Sequence, residues 1–146
     1  MIIPRICFCA AIMLTATCAF GQRGDDLTKF DAAGDDTPTL KLMEKGLKLI
    51  QGGKFTQAIE ECFDKIIESL ESEYDDEDVR YYCARTKAEA KAYRQASGND
   101  GKVVTILSDT WSMAYYMKAY SLIELDRHTE AMENLSRAIT LSPLNA

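Results

Sequence analysis

One histidine, one tryptophan and three prolines are all that 146 residues supply of these types. Scarce histidine closes most routes to acid–base and metal chemistry near neutral pH. Scarce proline, with eight glycines among much alanine, leucine, lysine and glutamate, speaks against collagen-like and sandwich classes and favours helices. A basic surface is lacking too: 17 lysines and arginines face 23 acids, giving a formal charge of −6. That balance argues against nucleic-acid binding, which needs cations to neutralise phosphates. The sequence contains no Gly-rich phosphate loop, no Gly-x-Ser-x-Gly elbow and no metal-spaced His/Cys cluster. What is there, 47% hydrophobic and 27% charged residues, suits one domain with a sizeable core.

The composition is uneven. Residues 1–21 carry one early arginine, Arg5, and then an uncharged apolar run from Ile6 to Phe20. A basic start, an apolar stretch of about 7–15 residues and small residues at the end describe a secretory signal peptide. Ala19 and Gly21 place the cut before Gln22, with Thr17-Cys18-Ala19 as the alternative site. The run is short for a membrane span, which needs about 20 apolar residues; a retained anchor is the rival reading. Cleavage removes Cys7, Cys9 and Cys18, leaving Cys62 and Cys83 in a compartment where disulfides persist. Both fall on apolar stripes, and their offset in a helical hairpin exceeds disulfide reach, which favours two buried thiols. Residues 22–37 read as a flexible acidic spacer and 38–146 as the folded domain.

Thr37-Pro38 is a helix start, since threonine caps and proline occupies the first turn without wasting a donor. Leu40, Met43, Leu47 and Ile50 form one helical stripe, broken at Gly52-Gly53. Phe55, Ile59, Cys62, Phe63, Ile66, Ile67 and Leu70 form a second, so the pair predicts an antiparallel hairpin. The acids Asp75–Asp78 precede Val79, Tyr82 and Cys83, and read as N-terminal charges on another helix rather than a calcium loop. Thr86-Lys87-Ala88-Glu89 fits a capping box, which starts a helix near Lys87. Ser97–Gly101 is a break, and Val103–Leu107, β-branched and without an evident partner strand, reads as an extended connector. Asp109 or Thr110 caps a helix through Trp111 to Leu125. A last helix follows the Asp126-Arg127 turn and stops at Ser142-Pro143.

Two segments match. Gly46–Ala58 (GLKLIQGGKFTQA) and Ala119–Ala131 (AYSLIELDRHTEA) agree at Leu49/Leu122, Ile50/Ile123, Thr56/Thr129 and Ala58/Ala131. Gly46/Ala119 are both small, and Lys54/Arg127 and Gln57/Glu130 are chemically alike. The pattern resembles the tetratricopeptide repeat, a helix–turn–helix unit of roughly 34 residues. The resemblance implies an all-α, right-handed array of antiparallel helix pairs, with units at about 39–73, 77–108 and 112–145. It implies that Gly46 with Ala58, and Ala119 with Ala131, let paired helices approach closely; Ala138 and Pro143 match later positions. The flanking units carry the match; the middle one is degenerate, and Lys65 and Leu70 depart from the expected alanine and proline.

The resemblance also implies a concave groove lined by the first helix of each unit. Its positions fall on Leu40, Met43, Leu47 and Ile50 in the first unit, and on Met113, Tyr116, Tyr120 and Ile123 in the last. Apolar and aromatic, these suit an amphipathic helix or extended apolar peptide, although the same side chains would serve equally as core. The lysine, arginine and asparagine clamp that some relatives use for acidic tails is absent. His128, at the inter-helix turn, and the acids Glu60, Glu61, Glu71 and Glu73 read as surface. The expected activity is thus non-catalytic: an interaction scaffold for a protein or peptide, without metal or cofactor, in the periplasm or secreted. Membrane contact would come only through an uncleaved leader. The alternative from another class is an exported enzyme, or an accessory domain, whose catalytic part lies outside this chain. A third is a small-ligand binder using Trp111 and the tyrosines. The array also looks cut short at Pro143–Ala146, where a capping helix would follow.

Overall fold

A computed structural model describes residues 37–96 and 101–145. The expected leader, its cleavage site and the spacer up to Asp36 lie outside the described residues, as do Ser97–Asp100. The first hairpin joins α1 (Thr37–Gln51) to α2 (55–73). Helix α2 is continuous but contains one π turn, Ile59–Phe63, whose residues Ile59, Cys62 and Phe63 are all buried. The looser turn brings adjacent Cys62 and Phe63 onto the same inward face. Opposite them stands Gly46: a Cβ there would lie 2.6 Å from Phe63 Cε1 and 3.2 Å from Cys62 Cβ. The small residue therefore admits the Phe63 ring and the Cys62 stem, where the repeat pattern predicts a meeting with Ala58.

The second hairpin, α4 (Thr110–Glu124) and α5 (His128–Leu141), repeats the first in its turn. Gly53 (φ 69°) and Asp126 (φ 58°) both take the left-handed conformation. Lys54 N–H donates to Leu49 O at 2.9 Å, and Arg127 N–H donates to Leu122 O at 2.9 Å. The next residues match as well, since Lys54 has φ/ψ of −94°/58° and Arg127 of −93°/60°. The internal repeat seen in the sequence is thus a repeat of backbone geometry. Ala119 and Ala131 are both buried and pack with Leu122 and Ile59, joining the second hairpin to the first.

Between the hairpins the chain departs from the expected helix pair. Val79–Ala84 is strand β1, Lys87–Ala96 is helix α3, and Val103–Ser108 is strand β2. The strands are parallel neighbours in register from Val79↔Val103 to Ala84↔Ser108. A parallel pair requires a crossover, and α3 provides it. Val103–Leu107, expected to be an unpaired connector, has β1 as its partner. The apolar spacing of Val79, Tyr82 and Cys83 belongs to a strand clad on both faces. Tyr82, Ala84, Val104 and Ile106 pack on Ala90 and Tyr93 of α3. Tyr81, Cys83 and Leu107 enter the main core with Trp111. Strands covered on both sides lose the polar alternation that announces them. The architecture is mostly helical, with a two-stranded parallel sheet in place of an all-α array.

The acids before β1 form a turn rather than a helix start: Asp78 N–H donates to Asp76 Oδ1 at 2.9 Å. The helix signal at Thr86 is correct, with Glu89 N–H on Thr86 Oγ1 at 3.1 Å. Glu89 reaches back one residue further than the usual box, to Arg85 N–H at 2.8 Å. Helix α4 touches α1, α2, β1 and α5. Its first turn meets the end of α2 and β1 through an aromatic cluster, with Trp111 6.0 Å from Tyr74 and 6.3 Å from Tyr81 between ring centroids.

Gly46→Ala tests the close approach. Phe63 is fully buried and its ring cannot yield, so overpacking should lower stability by about 1–3 kcal/mol. An exposed mid-helix Gly→Ala change would instead gain up to ~1 kcal/mol. Gly52→Ala, where the nearest atom to a Cβ would be 3.5 Å away, is the control and should leave the urea midpoint almost unmoved.

Candidate functional site

Both strands become more buried towards their carboxyl ends, which run into the helical hairpin α4–α5. At this joint lies a cleft of about 470 Å³. Its base is made of small residues, Ser112, Ala138 and Ser142, all buried. Its walls are apolar: Met113 and Tyr116 from α4, Leu135 and Ile139 from α5. Its polar edge comes from Arg85, Asp109 and Asn145. Arg85 and Asp109 each stand one residue beyond the last ladder pair, Ala84↔Ser108. Parallel-strand register therefore brings both residues to the rim of one cleft. The carboxyl ends of parallel strands are also where open α/β sheets place their ligands.

A hydrogen-bond network fixes this edge. Ser142 Oγ donates to the Cys83 carbonyl at 3.0 Å and accepts from Asn145 Nδ2 at 2.5 Å. The hydroxyls of Ser142 and Tyr93 lie 3.3 Å apart, and Leu144 N–H donates to the Tyr93 hydroxyl at 3.1 Å. Arg85 Nη2 donates to Asn145 Oδ1 and, at 3.2 Å, to Glu89 Oε1. The turn Pro143–Asn145 is thereby bound to β1 and α3. Burial pushes the Glu89 carboxyl up, but bonds from Arg85 N–H, the Asn145 amide and the Arg85 guanidinium outweigh it, so its pKa falls below the ordinary value.

Beneath the site, Cys83 is fully buried and burial drives its thiol up to about 11, partly opposed by hydrogen bonds from Ser112. Cys62 is also buried and its thiol is likewise raised by desolvation. Neither is bridged. Neutral thiols held this way are poor nucleophiles at pH 7. On the far side of α4, the Tyr115 hydroxyl donates to Glu71, a residue read from sequence as solvated charge. Burial, then the bond to Glu71, hold that hydroxyl well above the ordinary phenol value.

The eight groove positions read from the sequence divide, and Leu40 is exposed on α1. Met113 and Tyr116 meet in the cleft. Tyr120 and Ile123 continue the same exposed face of α4, 40% and 43% accessible, with Tyr120 edge-on to Phe55 at 6.3 Å. Met43 and Ile50 are half-buried against the main core, and Leu47 is half-buried on the same helix. None of these three lines the cleft. Trp111 is buried in the aromatic cluster, and its indole N–H has no hydrogen-bond partner among the described residues. His128 opens α5 with its side chain exposed, 3.9 Å from Asp126. No functional motif marks Arg85, Asp109, Ser142 or Asn145 in the sequence; Asp109 reads there as a helix cap, although its side chain makes no capping bond, and Ser142 as a helix end.

Among the described residues no group of three or more His, Cys, Asp or Glu side chains is placed to hold a metal. Among them, too, no helix is long and apolar enough to cross a membrane. No family model, no curated protein and no solved structure matches the chain.

The depressed Glu89 pKa fixes a pH dependence. A carboxylate stabilised in the fold contributes fully above its unfolded value of about 4.3, and the contribution is lost as pH falls through the lower folded value. Glu89→Gln should therefore cost about 1 kcal/mol at pH 7. The gap from the parent should close as pH drops below about 4. Denaturant titrations across that range check it, and a gap constant with pH would contradict it.

Proposed function

We propose that the chain is a non-catalytic interaction scaffold of an exported compartment, built on two tetratricopeptide-like hairpins stacked directly on one another. Three features support the fold part of this reading. The two turns repeat in backbone geometry, α4 packs against both helices of the first hairpin, and a strand–helix–strand segment, β1, α3 and β2, stands between the hairpins in sequence. On this view the poor middle match is not a decayed repeat but the insert. Direct stacking of neighbouring helix pairs is how such repeats bury their apolar faces.

The observation that carries the function is the exposed stripe Tyr116, Tyr120 and Ile123 on a helix otherwise packed on several sides. At 51%, 40% and 43% accessible, these side chains stay open to solvent although α4 has buried neighbours throughout. Tyrosine and isoleucine in a line one helix face wide offer anchors for an amphipathic helix or an extended apolar peptide. The leader-like first 21 residues support export.

The test is quantitative capture. A photo-reactive residue at Ile123 should crosslink a partner from the exported fraction, and the paired substitution Tyr116→Ala/Tyr120→Ala should weaken that partner's affinity roughly tenfold or more. Because both side chains are largely exposed, the double variant should keep its parent's far-UV spectrum and urea midpoint within ~0.5 kcal/mol. Undiminished capture by a folded double variant would remove the α4 face from the reading.

A further inference from the structure

We infer that α5 pairs antiparallel with α5 of a second copy of this chain, closing a two-fold dimer. The contact lies on a different helix from the peptide stripe Tyr116, Tyr120 and Ile123, so a dimer would carry two such stripes.

The two hairpins align from their left-handed turn residues, Gly53 and Asp126. In that alignment Met132 of α5 is the counterpart of Ile59 of α2. Ile59 is 5% accessible, because it packs with Ala119, Leu122 and Ala131 of the second hairpin. Met132 is 66% accessible, more than any other large apolar side chain among the described residues. Ile139, about two turns further along α5, is 48% accessible, whereas Ile66 and Ile67 near the matching level of α2 are both buried. Helix α5 thus carries the apolar side chains of a covered helix without the cover.

The opposite end of the stack decides what can supply it. Lys41 and Glu44 of α1 occupy the positions of Ala114 and Met117 in α4, which lie in the core shared with α2. Lys48 occupies that of Ser121, which is fully buried. All three α1 residues are exposed, and Lys48 pairs with Glu44 in solvent at 2.6 Å. Seating that charged face on Met132 and Ile139 would strip its water without return, so copies do not stack head to tail. An apolar face matched to itself is the two-fold alternative, and it closes after two chains.

Charge sets the direction of pairing. Met132, Ser136 and Ile139 follow one line at i, i+4 and i+7, and Glu133 and Arg137 flank that line with opposite signs, both exposed. Crossing antiparallel near Ser136, Met132 packs on Ile139 of the second copy and Glu133 faces Arg137 of the second copy. Symmetry makes each contact twice. A parallel pair sets Met132 level with Met132 and Glu133 level with Glu133, and forfeits the charge match. Ser136 at the crossing is small enough for the helix axes to come close.

Sedimentation equilibrium of the purified protein, from micromolar to millimolar concentration, should show monomer and dimer in reversible exchange. A lone helix pair lies at the small end of interfaces, so the dissociation constant should fall in the micromolar range. Met132→Asp should weaken the dimer about tenfold or more. Glu133→Arg should weaken it several-fold, and Glu133→Arg/Arg137→Glu should restore it. Because these residues are exposed, every variant should keep its parent's far-UV spectrum and urea midpoint. Ser136→Cys should give a disulfide-linked dimer on mild oxidation, since Cys62 and Cys83 are buried, and Lys48→Cys should not. A chain that stays monomeric at millimolar concentration overturns the inference and leaves peptide capture on α4 intact. So does a dimer that Met132→Asp and Glu133→Arg leave unchanged, or one that Lys48→Cys links as readily as Ser136→Cys. A photo-reactive residue at Ser136 that captures a different protein and no second copy overturns it too.

Discussion

Helix α4 is packed against α1, α2, β1 and α5, and the rest of the molecule is arranged around that burial. Eight of its fifteen residues are buried, and they include Ser112, Ala114, Ala119 and Ser121, small enough to let neighbouring helices and strands come close. A helix enclosed on several sides cannot show a narrow apolar stripe, which is why α4 reads as broadly apolar rather than amphipathic. Its two buried aromatic side chains, Trp111 and Tyr115, illustrate the cost of such enclosure. Tyr115 satisfies its hydroxyl on Glu71, whereas the Trp111 indole N–H finds no bond among the described residues. What escapes burial is then informative: the open face of α4 is a surface the fold has left uncovered on its most enclosed element.

The hairpins were legible because their signals are local. Gly52-Gly53 and Asp126-Arg127 sit between helical stripes, and a left-handed residue at Gly53 or Asp126 is set by the turn itself. Thr86 and Glu89 announced α3 by the same local logic, through a cap. The sheet was not legible, because six-residue strands covered on both faces present neither a period of two nor a partner nearby in sequence. Val79, Tyr82 and Cys83 fit helical spacing equally well until pairing with Val103, Ile106 and Leu107 is known. Physical identity of a short apolar run is decided by what covers it, and here the cover comes from α3 on one side and Trp111 on the other.

The site divides in the same way. Met113 and Tyr116 were visible as positions on a helix face, but Met43, the repeat counterpart of Tyr116, and Ile50, the counterpart of the exposed Ile123, turn into the core. The polar edge was invisible because it exists only in three dimensions. Arg85 and Asp109 are brought together by strand register, and Asn145 joins them through the fold-back of the last turn. The same insert that breaks the repeat pattern thus contributes the charged part of the cleft.

That fold-back also separates the molecule in time. The α1–α2 turn closes through bonds between residues five or fewer apart, such as Lys54 N–H to Leu49 O. Such contacts form as soon as their few residues are available. The bond from Ser142 to the Cys83 carbonyl spans 59 residues, and that from Arg85 to Asn145 spans 60. Long-range pairing of this kind is slow, because chain closure must come before the contacts that reward it. The first hairpin is therefore an early, self-contained step. The strand–helix–strand insert acquires its final walls only when the last turn has arrived, so the cleft is among the last parts of the molecule to exist.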